Sequence, residues 1–164
     1  MLTNQRTIDK KGKFDGIGLH TGVQTSMTFC PAPSGYGIKF VRTDIEGSPE
    51  VSAHIENVID IRRGTIIKQG EAVIHTVEHV LAAIAGLQID NIKIELTAEE
   101  PPAADGSPLP FVEVLEECRI VEQNAARTYL EIDQTMTFHD KDQKIDIVVV
   151  PSDRFRITYM IDYP

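Results

Sequence analysis

Alternating apolar and polar residues predict short strands in the first part of the chain. Apolar side chains recur at every second position in three segments, at 23–29, 36–42 and 51–58, as they do in half-buried strands. Gly, Pro and Ser cluster between these segments, at 31–35 and 46–49, and mark turns. The pattern therefore predicts an antiparallel sheet.

Helical spacing replaces the alternation in two later segments. Residues 75–88 have apolar positions three and four apart, and Gly86 is a stop signal. A strand is predicted at 91–97, and a second helix at 107–118 with Ser107 as its cap and Pro108 in its first turn. This order of elements predicts an α+β fold in which a sheet carries a pair of helices on one face.

The strand pattern begins again after the second helix. Alternation predicts strands at 128–133, 135–139, 144–150 and 155–161, with His139-Asp140 in a turn between two of them. No second pair of helices follows. We therefore predict a first domain at 1–122 and the opening strands of a second, incomplete domain at 123–164.

The charge of the chain limits its partners. The 164 residues include 16 Lys+Arg and 25 Asp+Glu, a formal net charge of -9, and Arg62-Arg63 is a basic pair. Basic residues are also adjacent at Lys10-Lys11, but no longer basic run occurs, and the acidic balance argues against binding to nucleic acid or to an anionic membrane surface. No uncharged apolar run approaches the roughly 18 residues of a membrane span, so we expect no stable membrane insertion and a cytoplasmic location. The separated Cys30 and Cys118 are expected to be buried thiols.

The first predicted helix has apolar residues on both of its faces. One broad stripe would face the sheet and consists of Val77, Val80, Leu81 and Ile84. The opposite side carries His79 among small residues, namely Ala82, Ala83 and Gly86. We therefore expect a second domain, a subunit or a ligand to cover that side closely.

Glu78 and His79 are the candidate functional residues of this helix. Burial of such groups costs several kcal/mol unless they are paired or bound to a metal, and neutral imidazole is a common zinc ligand. A second interpretation is that the positive end of the helix stabilises Glu78 and a backbone carbonyl satisfies His79. Reasoning from the residues leaves both interpretations open.

Residues 75–79 also match H-x-x-E-H, the signature of the inverted zincin metallopeptidases. In that motif both histidines bind zinc from one regular helix, whereas His75 here follows a strand-like segment at 71–74. A metallopeptidase is therefore the second hypothesis. A non-catalytic binding domain is the third.

Several motifs together resemble one enzyme family, the UDP-3-O-acyl-N-acetylglucosamine deacetylases, which are zinc enzymes of lipid A synthesis in Gram-negative bacteria. The motifs are Gly16-Ile17-Gly18-Leu19-His20-Thr21-Gly22, Thr76-Val77-Glu78-His79, Ala82-Ala83 running to Gly86-Leu87-Gln88-Ile89-Asp90-Asn91, and Asp105-Gly106-Ser107 before Pro110-Phe111-Val112. They occur in the family's order and spacing, and the chain is similar to the N-terminal half of such an enzyme.

The resemblance implies two similar α+β domains, packed with their helices between the two sheets and with Zn²⁺ between them. By motif, His79 would be a zinc ligand, Glu78 the general base, and His20 a residue near the metal. The implied substrate is UDP-3-O-acyl-N-acetylglucosamine. The protein would be a monomer unless it is fused to a hydroxyacyl-carrier-protein dehydratase.

The resemblance also shows what is missing. The family's other two zinc ligands, a His and an Asp four residues apart, have no counterpart in this chain, and neither does the histidine that protonates the leaving group. One ligand does not hold a catalytic zinc ion. We therefore expect the 164 residues to be inactive alone, and the acyl-chain preference to depend on the second domain.

Overall fold

The computed structural model describes residues 3–161 and contains two compact units, Met1–Arg127 and Thr128–Pro164. The first unit mixes strands with two helices, which confirms the α+β prediction. Its elements are β1 (Asn4–Ile8), β2 (Gly12–Ile17), β3 (Gln24–Pro31), β4 (Ile38–Arg42), β5 (Glu50–Ser52), a 3-10 turn (Ile55–Asn57), β6 (Val58–Asp60), β7 (Ile66–Gln69), β8 (Ala72–Ile74), α1 (Glu78–Gly86), β9 (Ile92–Leu96), α2 (Leu109–Glu117) and β10 (Ile120–Ala126).

A five-stranded sheet in the order β2-β3-β9-β4-β5 forms the base of the first unit. The prediction of an antiparallel sheet is correct for three of its pairs but wrong for β4 and β9, which are parallel. Parallel neighbours need a long crossover, and here that crossover contains β6, β7, β8 and α1.

Two further sheets complete the first unit. One contains β6, β7 and β8; the other pairs β1 with β10, with Ile8 opposite Ile120. The alternation at 51–58 predicted one strand, but the 3-10 turn interrupts it and leaves Ile55 exposed. The predicted domain boundary at 122 falls inside β10, so the compact unit extends to Arg127.

The helices and the sheet share one hydrophobic core. It includes Phe29 of β3, Phe40 of β4, Ile94 of β9, Ile84 of α1 and Phe111 of α2, all at most 1% exposed. Between Ile92 and Leu96 of β9, apolar side chains are buried at alternate positions. This arrangement confirms the prediction that apolar stripes of the helices face the sheet.

The ends of the helices follow the sequence signals only in part. α1 continues through Gly86, and it is Gln88 that adopts the left-handed conformation, with φ 55°. The N–H of Gln88 donates to the carbonyl of Ala85, and that of Ile89 donates to Ile84, as in a Schellman motif. At α2 the Ser107 hydroxyl accepts the N–H of Leu109, as the predicted cap would, but the helix begins at Leu109 and Pro108 occupies the cap position.

The second unit contains a hairpin of β11 (Met136–Asp140) and β12 (Ile145–Val149). His139-Asp140 lies at the end of β11, so its prediction as a turn is wrong. Residues 128–133 and 155–161 form no strand, contrary to the alternation. Residues 162–164 of the predicted second domain lie outside the described residues, and the likeness of the two domains remains a prediction.

Within residues 3–161, no helix is long and apolar enough to cross a membrane.

Cys30 and Cys118 are free thiols, both buried. Burial raises the pKa of each thiol above its usual range.

Candidate active site

Glu78 is the first residue of α1, and a neighbouring segment holds its side chain. The backbone N–H of Thr65 donates to the Glu78 carboxylate at 2.9 Å, while the N–H of Val77 donates to the Thr65 carbonyl at 3.3 Å. A Cβ atom added to Gly64 would lie 3.4 Å from the other carboxylate oxygen, Oε1. The segment before β7 therefore fixes Glu78 through its backbone and passes close to it.

His79 follows Glu78 on α1 and is half-buried. Among the described residues, no group forms a hydrogen bond or an ion pair with its ring. Ala82 and Gly86, which share its side of the helix, are exposed, whereas Ala83 is buried in the core. Ala83, one turn after His79, is therefore covered by the core of this unit, and the expected cover over Ala82 and Gly86 remains a prediction.

His20 lies in the turn that joins β2 to β3. The N–H of Gly18 donates to the Val23 carbonyl and the N–H of Gly22 to the Gly18 carbonyl, and Gly22 has a φ of 66°. The glycines therefore serve a tight turn, as the sequence indicates. The His20 ring is exposed, and its Nε2 lies 2.9 Å from the Arg63 carbonyl oxygen.

The segment 63–65 brings His20 and Glu78 into one site. The carbonyl of Arg63 accepts a hydrogen bond from the His20 ring, and the N–H of Thr65 donates one to Glu78. A cleft of about 240 Å³ lies alongside, and its lining includes His20, Arg63 and His75. Glu78 and His79 are not among the residues that line this cleft, so the structure links His20 to Glu78 through the segment 63–65.

The H-x-x-E-H interpretation does not fit the backbone. α1 begins at Glu78, so His75 precedes the helix. Between them Thr76 has a φ of 53°, which is left-handed rather than helical, and the His75 N–H donates to the Glu99 carbonyl at 2.8 Å. The single regular helix that would carry both histidines in an inverted zincin is absent from this part of the structure.

A second carboxylate, that of Glu100, was missed by the sequence reasoning and lies next to this site. Glu100 is fully buried and accepts hydrogen bonds from the backbone of His20 and from the hydroxyl groups of Thr21 and Thr76. Burial alone would raise its pKa, but the hydrogen bonds from Thr21, Thr76 and His20 together lower it below its usual range. The only signal in the sequence is an acidic residue next to Pro101-Pro102.

The described residues do not contain a complete metal site. Between residues 3 and 161 there is no group of three His, Cys, Asp or Glu side chains that could hold a metal ion. His139 of the second unit pairs instead with Asp146 of the adjacent strand. Among the described residues, His79 is the one that the family motif proposes as a metal ligand.

The family comparison matches almost the whole chain. A family model described as UDP-3-O-acyl N-acetylglycosamine deacetylase (LpxC) matches residues 5–164. The bifunctional enzyme LpxC/FabZ of Chlorobaculum tepidum is 51% identical over 163 residues, which cover 99% of this chain and 35% of that protein.

Shorter relatives carry the name of a single enzyme. The UDP-3-O-acyl-N-acetylglucosamine deacetylase of Anaeromyxobacter sp. is 40% identical over 162 residues, covering 98% of this chain and 51% of the relative. That of Saccharophagus degradans is 39% identical over 162 residues, covering 99% and 53%. The chain therefore spans about half the length of these relatives.

Proposed function

Because the chain belongs to the UDP-3-O-acyl N-acetylglycosamine deacetylase family, we propose that it supplies one half of a zinc-dependent amidohydrolase active site. The reaction would remove the N-acetyl group of UDP-3-O-(3-hydroxyacyl)-N-acetylglucosamine, giving a free amine and acetate in the committed step of lipid A synthesis. Relatives named as deacetylases support this proposal. The observation that carries it is the Glu78 carboxylate, held by the Thr65 N–H beside His79.

Glu78 has the position and the freedom that a general base needs. The Thr65 N–H occupies Oε2 and orients the carboxylate, which leaves Oε1 to accept a proton from an attacking water molecule. The adjacent Gly64 has no side chain, so the approach to Oε1 stays narrow but open. The leaving amine must be protonated by a group that this chain does not supply, and we assign that step to the rest of the protein.

His79 fits the role of a zinc ligand by its chemistry. It is a half-buried imidazole on the exposed side of α1, without a hydrogen-bond partner among residues 3–161. When bound, zinc would polarise the amide carbonyl and lower the pKa of the attacking water. We propose that a His and an Asp outside this chain complete the ligand set.

His20 is proposed to line the site rather than to bind the metal. A carbonyl oxygen only accepts hydrogen bonds, so the contact with Arg63 places a proton on Nε2 of His20. This bond fixes the ring orientation at the edge of the cleft. His20 would then offer its other nitrogen, Nδ1, as the polar contact.

The complete gene product tests the proposal. We expect amine release from UDP-3-O-acyl-N-acetylglucosamine with zinc, and a loss of about 100-fold or more in kcat for Glu78→Gln with bound zinc retained. His79→Ala should lose zinc, as measured by metal analysis. The exposed Glu71→Gln is the matched control and should behave as wild type.

One outcome would replace the proposal. If the complete protein released no amine and Glu78→Gln changed neither metal content nor activity, a non-catalytic binding domain would be the better interpretation. The bifunctional LpxC/FabZ relatives support a fusion to a dehydratase domain. Without that fusion we propose a cytoplasmic monomer whose partner is the UDP-sugar substrate, with no nucleic acid partner.

A further inference from the structure

Glu100 is a fully buried carboxylate whose charge is not neutralised by an ion pair anywhere in residues 3–161. A buried charge is costly unless hydrogen bonds satisfy it. Glu100 lies in the loop between β9 and α2, outside the three residues to which motif analysis gives roles. Its environment therefore needs an explanation of its own.

Four donor groups converge on the two carboxylate oxygens of Glu100. The backbone N–H groups of His20 and Thr21 donate at 3.0 and 2.9 Å, and the Thr21 hydroxyl donates at 2.9 Å. The hydroxyl of Thr76 donates to the other oxygen at 2.7 Å. The two backbone N–H groups can only donate and both hydroxyls donate here, which matches an ionised carboxylate as their common acceptor.

The donors belong to two segments that carry the proposed active-site residues. His20 and Thr21 form the turn between β2 and β3, whereas Thr76 lies two residues before Glu78. Thr76 is held in a left-handed conformation, with φ 53°, that L-residues rarely adopt outside turns. The turn that bears His20 and the segment that leads into α1 are thus both hydrogen-bonded to the Glu100 carboxylate.

Gly18 shows how closely the turn approaches Glu100. A Cβ atom at this position would lie 2.6 Å from Glu100 Oε2 and 3.2 Å from Glu100 Cβ. The φ of Gly18 is not in the left-handed region, so the close approach, and not the backbone angle, requires glycine here. The glycine lets the turn close onto the carboxylate.

We propose that Glu100 is a positioning residue of the active site, which sets the turn bearing His20 and the start of α1 bearing Glu78 in their mutual arrangement. The inference rests on the proposed function, because it assigns Glu100 a part in the same site. Glu100 acts through Thr21, Thr76 and the His20 backbone. The lowered pKa of the carboxyl group agrees with an ionised acceptor.

Steady-state kinetics of the complete zinc-loaded protein test the proposal. Glu100→Gln places an amide N–H₂ against donor groups, so we expect kcat to fall by about 10- to 100-fold, since small misplacements of reacting groups have effects of this size. KM should change less than about threefold and zinc content should stay at the wild-type level, because neither substrate contacts nor His79 is altered.

Two substitutions at Thr76, one that removes its hydroxyl group and one that keeps it, form a matched pair of variants. Thr76→Val keeps the shape and removes the donor to Glu100, and should lower kcat in the same direction as Glu100→Gln. Thr76→Ser keeps the hydroxyl and should restore most of the activity. Asn91→Ala removes a buried amide that ties Gly37, Gln5 and Gln123 together, and serves as the control for general destabilisation.

Amide hydrogen exchange separates this inference from the proposed function. In Glu100→Gln the amides of His20 and Thr21 should exchange at least about tenfold faster, while the core amide of Ile94 stays protected. This readout does not require catalysis, so a protein without deacetylase activity would overturn the proposed function alone. Wild-type exchange at His20 and Thr21, or a kcat loss in Asn91→Ala equal to that of Glu100→Gln, would overturn the positioning role.

Discussion

At the scale of single residues, Glu100 makes the stability of the first unit depend on pH in the acid range. Its folded-state pKa lies below the usual value because the hydrogen bonds outweigh the opposing effect of burial. Its stabilising contribution is therefore fully present above the unfolded-state pKa of about 4.3 and is lost as the pH falls through the lower folded-state value. Protonation would weaken the hydrogen bonds that the carboxylate accepts from the His20 and Thr21 N–H groups, which can only donate.

Glu100→Gln is expected to lower the free energy of unfolding by about 1–3 kcal/mol at pH 7, because a neutral amide with a single acceptor oxygen replaces a charged group with two. The difference between variant and wild type should shrink between pH 7 and pH 3, because the carboxyl group of the unfolded chain takes up a proton below about pH 4.3 and the stabilising contribution then decreases. Urea unfolding at the two pH values measures both quantities. The adjacent, exposed Glu99→Gln is the control, and a difference that stays constant from pH 7 to pH 3 would contradict the assignment.

His75 provides the second prediction at this scale. Its place before α1, with a left-handed Thr76 in between, separates it from His79 on the backbone. His75→Ser in the complete protein should therefore leave the zinc content unchanged, and metal analysis after dialysis against a weak chelator measures it. His79→Ala is the paired comparison. Loss of zinc in both variants to the same extent would return the metallopeptidase hypothesis to first place.

At the scale of the elements, sequence patterns predict those strands and helices whose burial is one-sided and regular. β3, β4, β9 and both helices belong to this class, since each places apolar residues on the face toward the shared core. β1 and β10 escape prediction, because neither has a regular alternation of apolar residues and each depends on hydrogen bonds to a partner more than 100 residues away.

Alternation alone also predicts strands that do not form. Residues 128–133 and 155–161 alternate as well as β3 does, yet Leu130 and Phe155 are more than 90% exposed. A strand needs a neighbouring strand for its backbone hydrogen bonds, and the spacing of side chains does not specify one.

The same limit applies to the site. Motifs identify Glu78, His79 and His20, but the contacts through Thr65, Arg63 and Glu100 depend on tertiary structure.

The C-terminal end of α1 gives a prediction at the element scale. Gln88 occupies the left-handed position of the Schellman motif, where a residue with a Cβ costs about 1–2 kcal/mol relative to glycine. Gln88→Gly should therefore raise the free energy of unfolding by about 0.5–1 kcal/mol after the added freedom of the unfolded chain is subtracted. Chemical denaturation measures the change.

The control for this substitution is Gln88→Ala, which removes the same side chain but keeps the Cβ atom. It also removes the long contact of 3.5 Å from Arg127 to the Gln88 side chain. We expect no stabilisation from alanine. If alanine and glycine had the same effect, the left-handed backbone would not be the cause.

At the scale of the whole molecule, α1 has two unequal sides. Val80, Ala83 and Ile84 are buried in the core, whereas Ala82 and Gly86 on the side of His79 are exposed. Small residues permit the close approach of another layer of structure. The deacetylase relatives are about twice as long as this chain, and a second domain over this side of α1 is the arrangement we propose.

The last prediction follows from that arrangement. The chain of 164 residues, expressed alone, should release no measurable amine from UDP-3-O-acyl-N-acetylglucosamine and should bind zinc much more weakly than the complete protein. A catalytic zinc site normally uses three protein ligands, and residues 3–161 contain no group of three candidates. Zinc titration and amine assays on both proteins measure the difference.

Folding must be separated from site assembly in this comparison. The isolated chain should keep its first unit folded, because the core of that unit lies within Met1–Arg127. Circular dichroism and amide exchange at Ile94 check this point. The complete protein with Glu78→Gln should bind zinc but show no turnover. This variant therefore measures the effect of losing the general base while the metal is retained. Turnover by the isolated chain would show that Glu78, His79 and His20 suffice without the proposed second domain.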